Sequence, residues 1–284
     1  MANILVTGAN GQLGCELRKI GFTALDEVFY TDVADLDITD CAAVEHFVKE
    51  HEIDTIINCA AYTAVDKAEE EPETAAKINT EAVANLAGVA AKEDCLLIHI
   101  STDYVFDGSG EVPYTERDKT CPVSVYGRTK LAGERAILKS GCCYLIIRTA
   151  WLYSAYGNNF VKTILRLAGE RPEISVVSDQ LGSPTYAGDL AEAIVAIMDH
   201  DDRTDHEGIY HFSNEGVCSW YDFACEIVKA GQKDCKIIPV TTAEYPTKTR
   251  RPAYSVLDKT KIKRIFGLEI PEWKEALGKM MRDL

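Results

Sequence analysis

The sequence has little positive charge and no long hydrophobic run. Its 30 Lys and Arg stand against 45 Asp and Glu, a formal net charge of −15, and most of the excess lies in the first half. Nucleic acids and anionic membranes are bound by clustered cations, so we expect neither as a partner. No apolar stretch reaches the roughly 18 residues that a membrane-spanning helix needs. The opening residues carry no basic export signal, and a cytoplasmic protein is expected.

The ten cysteines lack the spacing of a metal or disulfide framework. No two form a Cys-x-x-Cys pair, and the adjacent Cys142 and Cys143 are poorly placed to bind one ion. A chain of 284 residues does not need disulfides to stabilise its core. We therefore expect reduced thiols that pack as small apolar side chains. The six histidines show no ligand spacing, so no structural zinc site is predicted.

Short β-type runs alternate with helical patterns in the first half of the chain. Strands are predicted at 4–7, 27–31, 55–59, 96–101 and 144–149, with helices at 13–20, 42–49, 73–91 and 125–138 between them. This alternation is typical of βαβ units, and it predicts an α/β fold with a Rossmann-type, doubly wound parallel sheet. Later segments predict helices at 159–168, 187–198, 219–229, 258–266 and 272–281, and strands at 208–212 and 236–240.

A glycine-rich loop joins the first predicted strand to the first predicted helix. Gly8, Gly11 and Gly14 are spaced Gly-x-x-Gly-x-x-Gly, with Asn10 between the first two. At such a junction the glycines permit a tight turn, close approach of a pyrophosphate, and close packing of helix on strand. Free N–H groups at the helix start favour the anion. The loop predicts a nicotinamide dinucleotide site, for NADH or NADPH.

Further residues of this cofactor site follow the second and third strands. Asp32 ends the second strand, where a carboxylate accepts hydrogen bonds from the adenosine ribose and disfavours a 2′-phosphate. This favours NADH, while basic residues on the first helix leave NADPH open. Asp37 and Ile38 are expected to flank the adenine. Ala60 and Ala61, after the third strand, are small enough to let the cofactor lie close.

The sequence predicts two regions in the chain. Residues 1–150 are predicted to form the NAD(P)-binding domain, with 187–212 returning to it. Residues 151–284 are predicted to form mainly a smaller α/β substrate lobe. The lobe boundary rests on the looser alternation of elements after residue 150.

Tyr126 and Lys130 lie four residues apart at the start of a predicted helix, and therefore share one helix face. A phenol has an ordinary pKa of about 10, and a nearby ammonium brings that pKa towards the working range. Ser101 and Thr102 end the preceding strand, where a hydroxyl can polarise a substrate carbonyl. The order hydroxyl, tyrosine, lysine predicts acid–base chemistry at a carbonyl group.

With these motifs the chain resembles the short-chain dehydrogenases/reductases, and among them the dTDP-4-dehydrorhamnose reductases. Matching segments run in order through nearly the whole chain, at 60–69, 101–106, 125–134, 148–153, 157–160, 179–185 and 251–252. The resemblance implies hydride transfer from NADH or NADPH to the C4 carbonyl of dTDP-4-dehydro-L-rhamnose. Tyr126 would donate the proton, and Lys130 would tune it and bind the ribose. Thr102 would bind the oxygen, with Asp103 close to the substrate.

The resemblance also implies further contact residues. The matches to cofactor contacts of the family are Gln12, Leu13, Ala61, Tyr62 and Thr63, and those implied for the substrate are Trp151, Asn159 and Arg251. Some members bind Mg²⁺ through glutamates at a dimer contact. Glu16 matches one such position, but the last residues offer no clear final ligand, so no metal dependence is expected. A homodimer stays open as the assembly.

Two alternatives remain beside this reductase. Nucleotide-sugar dehydratases carry an Asp-Glu pair after the threonine, whereas here Tyr104 follows Asp103, which favours reduction over loss of water. Another nucleotide-sugar reductase or an epimerase stays open. The regulatory β subunit of methionine adenosyltransferase also resembles this family, so a non-catalytic binding subunit is the second alternative. The presence of Thr102, Tyr126 and Lys130 favours catalysis.

The proposed substrate and cofactor are anions, although the chain itself is acidic. Positive charge must then be local. Lys248, Arg250 and Arg251 form the nearest cationic cluster of the second half, and we expect them to face the sugar diphosphate.

Overall fold

The computed structural model describes residues 2–200 and 202–284. Within them the strands are β1 (Asn3–Thr7), β2 (Glu27–Thr31), β3 (Thr55–Asn58), β4 (Leu96–Thr102), β5 (Tyr144–Thr149), β6 (Leu152–Tyr153), β7 (Glu173–Val177), β8 (Leu181–Gly182), β9 (Thr185–Tyr186), β10 (Gly208–His211), β11 (Cys218–Ser219) and β12 (Lys236–Val240). The helices are α1 (Gln12–Ile20), α2 (Cys41–Glu50), α3 (Val65–Ala68), α4 (Pro72–Ala76), α5 (Ala82–Lys92), α6 (Val125–Ser140), α7 (Phe160–Glu170), α8 (Ala187–Met198), α9 (Trp220–Ala230), α10 (Thr260–Phe266) and α11 (Trp273–Met281). A π turn spans Lys77–Glu81, and 3₁₀ turns span Asp103–Val105 and Arg203–His206. No helix of these residues has the length and hydrophobicity needed to cross a membrane.

A six-stranded sheet forms the centre of the fold, in the order β10-β5-β4-β3-β1-β2. Its neighbouring strands all run parallel. The chain winds outwards from β1 in both directions, so a crevice opens between β1 and β3 at their carboxyl ends, where α/β proteins bind ligands. The β-branched Ile56 and Ile57 of β3 are wholly buried, as expected of a strand covered on both faces. The predicted doubly wound, Rossmann-type sheet is confirmed.

Helices cover both faces of this sheet because side chains alternate along each strand. Ile4 and Val6 of β1 point into one apolar layer, with α1, α8 and α10. Leu5 points into the other, with α2, α5 and the end of α6. The opposed layers fix the carboxyl ends of the strands as one rigid edge, and the catalytic candidates lie along that edge.

A smaller α/β lobe is formed by elements that follow β6 in the chain. Its parallel pair, β7 and β12, packs on α7, α9 and α11 through a separate apolar cluster that includes Phe223 and Trp273. The sequence analysis does not predict β7, because its alternation over five residues is too short to identify without its partner β12. Helix α8 lies against α1, and β10 joins β5 in the large sheet. The exact division at residue 150 stays a prediction.

The helix predicted at 73–91 is interrupted. A π turn at Lys77–Glu81 inserts extra backbone between α4 and α5. This turn directs the buried Asn79 towards the loop after β3, where its Oδ1 accepts the Tyr62 N–H at 2.9 Å and its Nδ2 donates to the Tyr62 carbonyl at 3.0 Å. Such turns often occur at functional sites because they re-aim one side chain.

Candidate active site

The glycine loop makes a cradle that side chains would fill. Gly8 has a φ of +66°, and a Cβ added there would lie 2.6 Å from the Ala60 nitrogen. A Cβ on Gly14 would lie 2.5 Å from the Ala9 Cα. No side chain of the described residues caps the start of α1, where Gly11 is the N-cap. The close approach and the uncapped N–H groups fit a dinucleotide pyrophosphate.

Asp32 lies in a cavity of about 250 Å³ beside this loop. Its Oδ2 accepts the backbone N–H of Asn10 at 3.1 Å, and its Oδ1 accepts that of Val33 at 2.8 Å. These two bonds fix the carboxylate between the glycine loop and the end of β2. The residues of the predicted cofactor site that line this cavity are Gly8, Gly11, Asp32, Asp37, Ile38, Ala60 and Ala61. The position of this cavity fits the adenosine end of a dinucleotide.

A second cavity, of about 590 Å³, continues from the first and contains the catalytic candidates. The two share Gly8, Gly11, Cys59 and Ala61. The other predicted residues lining the second cavity are Gln12, Leu13, Thr63, Thr102, Asp103, Tyr126, Lys130, Trp151 and Asn159. Asn10, Gly14 and Tyr62 do not line either of these two cavities.

Tyr126 reaches the cavity because α6 begins directly against the turn after β4. Ser124 caps this helix, accepting the Gly127 N–H at 3.0 Å. A Cβ on Gly127 would lie 2.2 Å from the carbonyl oxygen of Tyr104, so only glycine permits this approach. The Tyr126 ring then meets that of Tyr104 edge-on, with centroids 5.4 Å apart. The spacing of residues in the sequence does not predict this contact.

Protonation at this site is set mainly by burial. Burial raises the pKa of Tyr126, with Thr102 opposing this shift, so the phenol is held as a proton donor. Burial also raises the pKa of Asp103 to about 7, which the hydrogen bond from Thr102 opposes. The Thr102 hydroxyl donates to Asp103 Oδ1 at 3.0 Å, whereas Asp103 Oδ2 has no partner among the described residues.

Lys130 is placed differently from the sequence expectation. It is buried, and its Nζ donates to the carbonyl of Ile100 at 2.6 Å and lies 3.3 Å from Nε2 of His99. Burial lowers the pKa of Lys130 to about 8, opposed by the negative charge of Glu134. The sequence analysis expects this amine to lower the pKa of Tyr126, but that pKa is set by burial, Thr102, Asp103 and Tyr104, while the amine donates to Ile100.

Replacing Asp103 by Asn should change how stability depends on pH. An acid whose pKa rises from 3.8 to about 7 on folding binds its proton more tightly in the folded state. As the pH rises from about 4 to about 7, this acid therefore lowers the free energy of unfolding progressively. Above about pH 7 it lowers that free energy no further. Asp103→Asn should be more stable than the wild type at about pH 9, by a few kcal/mol (roughly), and equal to it near pH 4. Urea unfolding at several pH values measures the difference; a difference independent of pH would contradict the assignment.

Trp151 separates the catalytic cavity from a third one. This third cavity has about 380 Å³, and Tyr104 and Trp151 line both. Trp151 adopts a φ of +49°, rare for a bulky residue, and stacks on Trp220 with centroids 3.5 Å apart and an interplanar angle of 11°. The strain fits a residue held for contact with a ligand. Arg251 lines the third cavity and not the second.

Asn159 joins the two halves of the cleft. It caps α7 by accepting the Lys162 N–H at 3.1 Å, and its Nδ2 donates to Oε1 of Gln12 at 3.0 Å and to the carbonyl of Ser154 at 2.7 Å. This contact brings the predicted substrate residue against the start of α1.

The cationic cluster is largely neutralised. Lys248 pairs with Glu70, and Arg251 pairs with Asp66, so two of the three expected cations already have carboxylate partners. Arg250 is exposed. Arg251 Nη1 also donates to the hydroxyl of Tyr104 at 3.2 Å, which ties it to the catalytic side of the cleft. An anionic ligand would have to compete with Asp66 for Arg251.

Glu16, the position compared with a magnesium ligand, is buried and accepts the Ser154 hydroxyl at 2.6 Å. In residues 2–200 and 202–284 no cluster of three His, Cys, Asp or Glu side chains is arranged to bind a metal ion. Sequence reasoning did not single out His99 or Asn79. For His99 the one available signal is a polar residue inside an otherwise apolar buried strand, at the fourth position of β4.

The chain is similar to known proteins in both sequence and structure. A family model described as "RmlD substrate binding domain" matches residues 1–284. The dTDP-4-dehydrorhamnose reductase of Aggregatibacter actinomycetemcomitans is 44% identical, over 98% of this chain and 97% of that relative. A crystal structure of the dTDP-4-dehydrorhamnose reductase of Clostridium acetobutylicum superposes with a TM-score of 0.94 at 45% identity, covering 99% of this chain and 98% of that one. The Bacillus anthracis dTDP-4-dehydrorhamnose reductase, solved in complex with NADP, gives a TM-score of 0.95 at 40% identity, covering 100% of this chain and 99% of that one.

Proposed function

Because the chain belongs to the RmlD substrate binding domain family, we propose that it reduces dTDP-4-dehydro-L-rhamnose to dTDP-L-rhamnose. It is an NAD(P)H-dependent oxidoreductase of nucleotide-sugar metabolism. The observation that carries the proposal is a series of three adjacent cavities. The cavity at the glycine cradle shares lining residues with the one that contains Tyr126, Lys130 and Thr102, and Trp151 lines both this second cavity and the third.

The residues of the cleft supply binding and the proton. A bound dihydronicotinamide supplies the hydride. Thr102 hydrogen-bonds the C4 oxygen of the sugar and Tyr126 donates a proton to it as negative charge develops there. Lys130, on the same helix face, binds the nicotinamide ribose. The Thr102 hydroxyl has one proton, which it donates to Asp103 Oδ1 in this structure. When Asp103 is protonated, it can instead donate to Thr102 Oγ1, which frees the Thr102 proton for the C4 oxygen, and a pKa of about 7 for Asp103 makes this protonated form accessible.

The third cavity would take the nucleotide part of the substrate. Its walls combine aromatic and aliphatic side chains, including Trp151, Phe160 and Trp220, with the polar Gln180 and Arg251. Flat apolar walls with a few polar groups suit a nucleobase. Arg251 would exchange part of its contact with Asp66 for the diphosphate, which lets an acidic protein bind an anion locally.

The direct test is to follow the oxidation of NADH and NADPH at their absorbance band with dTDP-4-dehydro-L-rhamnose, and to identify the product as dTDP-L-rhamnose. Reactions without sugar give the background. Cofactor binding without oxidation of any keto sugar, together with copurification of a larger synthetase, would instead support a non-catalytic subunit. Interconversion of nucleotide sugars without net cofactor oxidation would support an epimerase.

Asp32→Ser should move the cofactor preference towards NADPH. A carboxylate beside the ribose repels a 2′-phosphate, so we expect NADH to be the better donor for the wild type. Removing the charge should raise the NADPH to NADH ratio of kcat/KM by about tenfold or more, because like-charge juxtaposition in a binding site costs several kcal/mol. Asp37→Asn is the matched control, since Asp37 lines the same cavity and Asp37 Oδ1 accepts the Thr39 N–H. A strong wild-type preference for NADPH would refute the role of Asp32.

A further inference from the structure

A row of buried hydrogen-bonding side chains lies beneath Lys130, and the proposed reduction gives these side chains no role. Asn58 ends β3, and its Oδ1 accepts the Thr7 hydroxyl at 2.8 Å and the Ala60 backbone N–H at 3.1 Å. Its Nδ2 lies 3.0 Å from Nδ1 of His99, and Nε2 of His99 lies 3.3 Å from Lys130 Nζ. Thr7, Asn58, His99 and Lys130 are each 1% exposed or less. Solvent therefore does not mediate these contacts.

The row fixes which ring nitrogen of His99 carries the proton. The backbone N–H of Ala60 can only donate, so the atom of Asn58 that faces it must be the oxygen. The Asn58 NH₂ group then faces His99 and donates to Nδ1, which must be unprotonated. A neutral imidazole carries its one proton on the other nitrogen. The Nε2–H of His99 consequently points at Lys130.

An ammonium cannot accept this hydrogen bond, because it has no lone pair, whereas a neutral amine can. Lys130 Nζ meanwhile donates to the Ile100 carbonyl at 2.6 Å, which leaves its lone pair free to face His99. Burial keeps the pKa of His99 well below its usual value, and the positive charge of Lys130 adds to that, so the ring stays neutral. The contacts on both sides of Nζ therefore suit the uncharged amine.

The other titratable groups around Lys130 do not reverse this arrangement. Glu134, on the same helix, favours the ammonium, but its carboxylate is engaged by Arg148 at 2.6 and 2.8 Å. Burial raises the pKa of the Cys59 thiol, which follows β3, to about 12, so it is uncharged. Tyr126, one turn earlier on α6, is held protonated by burial.

We propose that His99 is a positioning residue of the reductase, which presents its Nε2–H to the side-chain nitrogen of Lys130 and so favours the uncharged amine over the ammonium in the cofactor-free protein. Above about pH 8, where the amine is mainly uncharged, binding of the cofactor ribose by Lys130 as an ammonium then requires the uptake of one proton from solvent. The proposal rests on the proposed function only for the role of Lys130 at the cofactor. Cofactor affinity should accordingly fall as the pH rises through the alkaline range.

The tautomer can be read without any turnover. In ¹⁵N-histidine-labelled protein, long-range ¹H–¹⁵N correlation spectra distinguish Nδ1–H from Nε2–H rings, and His99→Asn identifies the signal. We expect the Nε2–H tautomer, unchanged between about pH 6 and pH 9. An Nδ1–H tautomer or a ring that protonates in this range would overturn the proposal. Because no substrate is needed, this result is independent of whether the keto sugar is reduced.

Two variants test the consequence for Lys130. His99→Asn keeps an acceptor for the Asn58 NH₂ group but removes the group that faces the amine. His99→Gln places an amide near the Nε2 position, where its oxygen is free to turn to the ammonium. In both, the alkaline loss of NADH affinity, measured by calorimetry, should move up by about one pH unit, the usual worth of one hydrogen bond to one protonation state.

His211→Asn is the matched control. His211 is equally buried and lies on β10 of the same sheet, where its Nδ1 meets the Tyr114 carbonyl at 3.0 Å, and burial lowers its pKa to about 3. This variant should lose stability without moving the pH dependence of NADH affinity. If both His99 variants keep the wild-type midpoint, or if His211→Asn moves it as far as they do, His99 has a structural role only.

Discussion

Tyr126→Phe should reduce turnover by about 10²- to 10⁴-fold, the usual contribution of a positioned acid. The phenol is held protonated by burial and is positioned by Gly127, which lets α6 lie against the Tyr104 carbonyl. Removing the hydroxyl leaves the ring, its contact with Tyr104 and the glycine cradle in place. Cofactor affinity should therefore change little, whereas kcat with the keto sugar should fall at every pH.

Tyr104→Phe is the control for this experiment. Tyr104 is half-buried, lines the same cavity and meets the Tyr126 ring, but its hydroxyl is engaged by Arg251. Its loss should mainly raise KM for the sugar nucleotide. Single-turnover rates and cofactor titrations on both variants separate the two effects. A Tyr126→Phe enzyme with half the wild-type rate would show that another group donates the proton.

Arg148→Met should destabilise the fold by about 3–5 kcal/mol, because it leaves a buried carboxylate without its partner. Arg148 on β5 binds Glu134 on α6 through two bonds of 2.6 and 2.8 Å, and both side chains are at most 3% exposed. The Ser101 hydroxyl donates to the same carboxylate at 2.5 Å. The pair therefore links the helix that carries Tyr126 and Lys130 to the two strands beneath it.

The double variant Arg148→Met/Glu134→Gln should recover much of this loss, since no uncompensated charge is then buried. Urea unfolding of the single and double variants at neutral pH gives the coupling. Arg166→Met is the matched control: Arg166 pairs with Glu170 at 2.9 Å on the exposed face of α7, and such a pair contributes about 1 kcal/mol or less. A double variant less stable than the sum of its single changes would rule out this account of the pair.

The sequence by itself determined the doubly wound sheet, because β-branched runs and amphipathic helices have local periods that a single chain displays. It also determined which residues to test. The glycine loop directly precedes α1, Tyr126 and Lys130 lie four residues apart on one helix, and Thr102 ends the strand before that helix. The resemblance added the nucleotide-sugar substrate and Trp151. The specific roles of these residues stay predictions, to be decided by the variants above.

Only the tertiary structure decided what each group faces. The amine of Lys130 lies on the Ile100 carbonyl and beside His99 rather than on Tyr126. Lys248 and Arg251 have carboxylate partners nearly two hundred residues away in the sequence, namely Glu70 and Asp66. The reason is physical: burial and long-range contacts set protonation and charge, and neither depends on residue spacing along the chain.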